Sequence, residues 1–103
     1  MIELKQEVVE LIRAELASIP EQHHNFRNVN EGLGVLREEY LELEQEMFFG
    51  RKNEYDKVLK SKQYASDTPL TKEYLANEHW KDNIRKEAVQ VAAMAIRIIQ
   101  ELT

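Results

Sequence analysis

The chain has 103 residues, of which 43% are hydrophobic and 32% charged, with a formal net charge of −5. That length allows one domain. The charge excludes a general nucleic-acid binder, which needs a basic face, and the absence of cysteine excludes disulfides and thiolate metal sites. The first residues, Met1-Ile2-Glu3-Leu4-Lys5-Gln6-Glu7, lack the basic start and apolar core of a signal peptide. The longest apolar run, Val91 to Ile96, is far shorter than the ~20 residues that span a bilayer. A soluble, cytoplasmic protein with no membrane partner is expected.

Three glycines, two prolines and many Glu, Leu, Ala and Lys predict helix almost throughout. The first helix spans roughly Ile2 to Ser18, with Leu4, Val8, Leu11, Ile12 and Ile19 as its apolar stripe. Pro20 stops it, and a polar connector runs from Glu21 through His23-His24 to Arg27. The second helix runs from about Asn28 to Phe49, capped by Asn28 or Asn30. Val29, Leu33, Leu36, Tyr40, Leu43 and Met47 alternate at spacings of four and three, a heptad-like seam. Gly50 is a natural stop. Gly32 and Gly34 each cost about 1 kcal/mol relative to Ala inside a helix; close approach of a neighbour and a frayed first turn both account for them.

Lys52 to Lys62 reads as a short helix, Ser66-Asp67-Thr68-Pro69 as a turn, and Thr71 as the cap of another short helix. The last helix runs from about Asn77 to Leu102, striped by Trp80, Ile84, Val91, Met94, Ala95, Ile98 and Leu102, with Ala88 and Ala92 for close packing. The expected fold is all-α: one domain over 1–103, a bundle of three main helices plus short ones. So small a bundle buries little surface alone, so completion by a second copy is expected.

The acids are concentrated. Arg37 to Glu46 holds Glu38, Glu39, Glu42, Glu44 and Glu46 against one Arg, a local net of −4. At about 100° per residue, Glu39, Glu42 and Glu46, with Glu38 more peripheral, form a band beside the seam. Like charges three and four apart repel, so the band is either a solvated face or a site for a hard cation, Mg²⁺ or Mn²⁺. Glu87 falls inside the apolar stripe of the last helix, flanked by Asn83 and Gln90. An isolated carboxylate there needs a partner: a metal, an Arg or Lys, or Tyr40. Arg51 to Lys62 carries a net of +3, and Arg85 and Lys86 adjoin Glu87. Carboxylates for a metal beside cations suit a polyphosphate, and a mixed-charge surface is the plain alternative. Arg51, Lys52, Asn83 and Lys86 are the candidate substrate contacts. His23 and His24 point different ways and lack a third ligand at suitable spacing. Trp80 reads as core. No Gly-rich phosphate loop, Ser-His-Asp set or zinc motif is present.

Glu38-Glu39-Tyr40-Leu41-Glu42 resembles the EExxE signature of the MazG-like nucleoside triphosphate pyrophosphohydrolases, an all-α family. Glu87-Ala88-Val89-Gln90 stands where that family has ExxD on a later helix, and Asn30 to Glu39 is similar to its compact members. The likeness covers about two thirds of the chain. It implies a Mg²⁺-dependent homodimer or homotetramer that cuts an NTP or dNTP between the α and β phosphates. It implies that Glu38, Glu39, Glu42 and Glu87 hold the metal, and that one of the carboxylates orients or deprotonates water. Gln90 replaces the family's Asp: its amide oxygen is a neutral or water-mediated ligand, or the site is weakened. The competing expectations are a non-catalytic nucleotide-binding or oligomeric interaction protein of the same fold, and a purely structural helical protein.

Overall fold

The computed structural model describes residues 2–20, 25–60 and 69–103. Among these residues there are three α-helices and no strand: α1 (Gln6–Ala17), α2 (Val29–Lys60) and α3 (Pro69–Leu102). At 1.5 Å per residue α2 and α3 are each about 50 Å long and set the 54 Å long axis of the molecule. They run antiparallel, since Gly32 near the start of α2 meets Leu102 and Ile98, whereas Gly50 meets Trp80. α1 lies against α3. No helix is long and apolar enough to cross a membrane, among the described residues.

The all-α expectation holds, but the boundaries move. α2 does not stop at Gly50; it continues to Lys60 and absorbs the expected short helix from Lys52. α3 begins at Pro69, not Asn77, and Thr71 lies inside its first turn instead of capping a separate helix. Pro69 suits a first helical position, where no N–H partner is available anyway. α1 begins at Gln6, so Leu4 stays outside it and exposed. His23, His24, Lys62 and the turn expected at Ser66-Asp67-Thr68 lie outside the described residues. Asn28 is the cap of α2: its Oδ1 accepts the Glu31 N–H at 3.0 Å, and Glu31 Oε1 accepts the Arg27 N–H at 3.3 Å. This is the reciprocal arrangement of a capping box, shifted by one residue.

Two of the glycines are contact points. Gly32 and Gly50 are both buried, and neither has a positive φ. A Cβ on Gly32 would lie 2.9 Å from Leu102 Cδ1; one on Gly50 would lie 2.6 Å from Glu46 Cδ and 2.9 Å from Trp80 Cδ1. Gly50 therefore serves close helix approach, which helix-stop rules do not distinguish. Gly34 meets nothing within 4 Å, and nothing in the structure explains it.

The main apolar cluster sits at the end of the hairpin where α2 starts, and Val58 and Ala76 are buried toward the other end. Phe26, Ala93 and Met94 are the buried members of that cluster, covered by Leu16, Ile19, Val35, Leu36, Ile98 and Leu102. Arg97 is buried there too, with its guanidinium 4.0 Å above the Phe26 ring. It donates to both oxygens of Glu101, at 2.7 and 3.1 Å, and Glu101 Oε1 accepts the Phe26 N–H at 2.8 Å. The ion pair thus fastens the connector to the last turns of α3. The heptad-like seam divides. Leu36 and Leu43 are partly covered, whereas Val29, Leu33, Tyr40 and Met47 are more than half exposed. The closest approach to α3 follows Gly32 and Gly50, leaving the seam on the flank.

The two kinds of glycine have opposite expected effects. Gly34→Ala should stabilise the protein by up to about 1 kcal/mol through helix propensity alone. Gly50→Ala should destabilise it despite the same propensity gain, because Trp80 must shift. Urea denaturation of both variants reads the two signs.

Candidate metal centre

Glu39 and Glu42 stand three apart on α2 and share a face. Glu87 reaches toward them from α3, and oxygens of all three carboxylates lie within 4.8 Å of one another. Glu39 and Glu87 are partly buried, and Glu42 is exposed. Burial, followed by the charges of Glu42, Glu87, Glu15 and Glu38, pushes the Glu39 carboxyl above its ordinary value. Burial also raises Glu87, followed by the charge of Glu42 and a hydrogen bond with it; Lys86 opposes this and Glu46 adds to it. Gln90, one turn on from Glu87, turns its amide to the same group. With its nitrogen toward the carboxylates it donates to Glu39 Oε2 at 3.1 Å and Glu87 Oε2 at 3.0 Å.

Beside this group opens a cavity of about 620 Å³, lined by Glu42, Glu46, Glu87 and Asp56 with Phe49 and Lys52. Its floor is held by a polar clasp between the helices. Asn83 on α3 donates from Nδ2 to Glu46 Oε1 at 3.3 Å and to Glu54 Oε1 at 2.8 Å. Trp80 Nε1 donates to the Glu46 carbonyl at 2.8 Å. Glu54 is buried, and its charge is met by Lys57 Nζ at 3.2 Å, with His79 Nδ1 at 3.6 Å. Hard oxygen donors converging from two helices are the donor set that Mg²⁺ or Mn²⁺ takes, and the raised Glu39 and Glu87 carboxyls would gain most from a cation.

The expected site residues are placed as follows. Glu39, Glu42, Glu87 and Gln90 come together. Glu38 is exposed and acts on Glu39 only by its charge. Lys52 lines the acidic cavity. Lys86 adjoins Glu87 electrostatically but lines a different cleft, with Glu15, Asp82 and Arg85. Arg51 does not line the acidic cavity: it donates to Asn77 at 2.9 Å and Glu73 at 3.1 Å and lines a neighbouring cavity of about 420 Å³ that shares Lys52. Asn83 supports the cavity through its two glutamates and does not line it. Among the alternatives for Glu87, Tyr40 is half exposed, and the partners found are Glu42 and Gln90. Trp80 is packed against Gly50, as a core residue, but it also carries a polar tie.

The sequence reading missed Glu54, Asp56 and the clasp. The signal was the i, i+4 run Glu46-Gly50-Glu54, invisible once a helix end is set at Phe49. No family model matches the chain, and no curated protein or solved structure is significantly similar to it.

The raised Glu87 carboxyl gives a signed pH effect. The fold favours its neutral form, so that contribution to stability is present below the ordinary carboxylate range and is lost as pH rises through the raised value. In EDTA, Glu87→Gln should therefore melt above the parent protein at pH 7, and the difference should close by about pH 4, where both side chains are neutral. Thermal melts across that range test it; a variant that melts lower at pH 7 contradicts the placement.

Proposed function

We propose that this chain is a Mg²⁺-dependent nucleoside triphosphate pyrophosphohydrolase, acting in the cytoplasm as a homodimer or homotetramer and converting NTP or dNTP and water into the monophosphate and pyrophosphate. The observation that carries the reading is the convergence of Glu39, Glu42 and Glu87, from two helices, beside a cavity that also holds Lys52. It agrees with the resemblance of Glu38 to Glu42 to the MazG-like signature. Mn²⁺ is an acceptable substitute for such oxygen ligands.

In this reading Glu39, Glu42 and Glu87 hold the cation. When bound, it supplies positive charge against the phosphate oxygens. One α2 carboxylate, Glu39 or Glu42, would take the proton of the water that attacks the α-phosphorus. The bond from the α-phosphorus to the bridging oxygen breaks, and pyrophosphate leaves. Lys52 neutralises phosphate charge at the cavity edge, with Lys86 as a second cation nearby. Arg51 contributes only if it leaves Asn77 and Glu73. Glu54 and Asn83 exclude helix movement under the site.

A second reading is favoured by one residue. Gln90 adds no charge and is a poor base, which suits a relative that binds metal–nucleotide without cutting it. The two separate in one assay. With Mg²⁺ and a panel of NTPs and dNTPs, pyrophosphate should appear for at least one nucleotide. Glu39→Gln should reduce that rate at least a hundredfold, about 3 kcal/mol of barrier. No release for any nucleotide from folded protein leaves the binding reading.

Self-association is supported by the open flank of α2, where Leu33, Tyr40, Met47 and Phe48 are between 51% and 75% exposed. A row of exposed large apolar side chains is typical of a contact surface. Light scattering should give a mass of two or four chains, reduced to one by Leu33→Glu with Tyr40→Lys.

A further inference from the structure

Three carboxylates are gathered between α2 and α3, and one amide spans two of them. Glu39 and Glu87 each point one oxygen, Oε2, at the Gln90 side chain. Carboxylate oxygens only accept, and an amide nitrogen carries two hydrogens. The nitrogen placed between them donates to both, at 3.1 and 3.0 Å, so one hydrogen goes to each helix. The opposite orientation would set the amide oxygen against two oxygens that cannot donate when ionised. The polar environment thus fixes the amide.

We infer that Gln90 is a positioning residue, which clamps Glu39 and Glu87 together through its two amide hydrogens and is not a metal ligand through its oxygen. The inference rests on the proposed metal reading for its purpose, but the clamp itself belongs to the metal-free protein. It does what a carboxylate at this position could not: it draws two repelling groups together with no cation present and adds no charge of its own. The clamp takes one oxygen of each carboxylate, so a cation would meet ligands already drawn together. An acid here would place one more negative charge in the group and leave the metal-free site less stable.

The test uses the whole protein and Mn²⁺ alone as probe. Metal-free stability is read by melting in EDTA, and affinity by the spectroscopic signal of free Mn²⁺. Gln90→Leu removes both hydrogens; it should lower the metal-free melting temperature and weaken Mn²⁺ about tenfold or more, as loss of a group that orients metal ligands does. Gln90→Glu keeps the shape and replaces the donor by an acceptor. At pH 7 it should melt lower than the parent in EDTA and regain more degrees than the parent on adding Mn²⁺. Weaker Mn²⁺ binding with unchanged metal-free melting in Gln90→Leu would make Gln90 an oxygen ligand and overturn the inference. Lower melting with unchanged Mn²⁺ affinity would leave only a packing role and overturn it equally. If the parent takes up no Mn²⁺, the metal reading fails on its own, and the clamp is then decided by the metal-free melts of the two variants.

Discussion

Carboxylates brought from two helices into one place repel unless something offsets the charge, and the pairing of α2 with α3 depends on how that is done. Oxygens within 4.8 Å of one another interact by on the order of 1 to 3 kcal/mol per ionised pair at effective dielectrics of 80 down to 20. The chain uses several partial remedies. Lys86 stands beside Glu87, and the Gln90 amide, with its nitrogen toward the carboxylates, spans the helices. Burial raises Glu39 and Glu87, so a proton is held more readily there than on a free glutamate. Each remedy leaves the group ready to exchange a weak stabiliser for a stronger one.

The helices stay together through polar ties, with Val58 and Ala76 buried, on one side of this group and through the Phe26 cluster on the other. Toward Lys60, Asn83 joins Glu46 to Glu54, and the Trp80 indole is tied to the Glu46 carbonyl. Toward Asn28, Phe26, Met94 and Ala93 form the apolar core, with Arg97 and Glu101 closing it. Among the described residues, no large side chain is fully buried. The hairpin therefore relies on oriented hydrogen bonds to charged groups, each worth more than a neutral one, as much as on apolar burial.

Much of this was legible in the sequence because helix periodicity is strong and local. The Glu39, Glu42 and Glu87 grouping followed from two facts: an acidic band beside one stripe, and a carboxylate inside another. Facing stripes bring such groups together. The long α2 was not legible. Gly50 carries the same local signal whether it ends a helix or lets Trp80 approach, and only tertiary contact distinguishes the cases. The error propagated: with a helix end at Phe49, Glu54 fell on a separate short helix out of register with Glu46, and Asn83 looked like a free contact. Arg51 shows a different limit. A cation near the acidic run in sequence can be engaged by other groups, and here Asn77 and Glu73 take it.

Gly32 and Gly50 are 18 residues apart, which is five full turns at 3.6 residues per turn. Both therefore face α3 in register, one against Leu102 and the other against Trp80. Together they act as a ruler. Adding or deleting a single residue between them rotates one contact by about 100° relative to the other and carries Glu39 or Glu42 off the shared face. The span from Gly32 to Gly50 is thus constrained in length even where, as at Gly34, its composition is not.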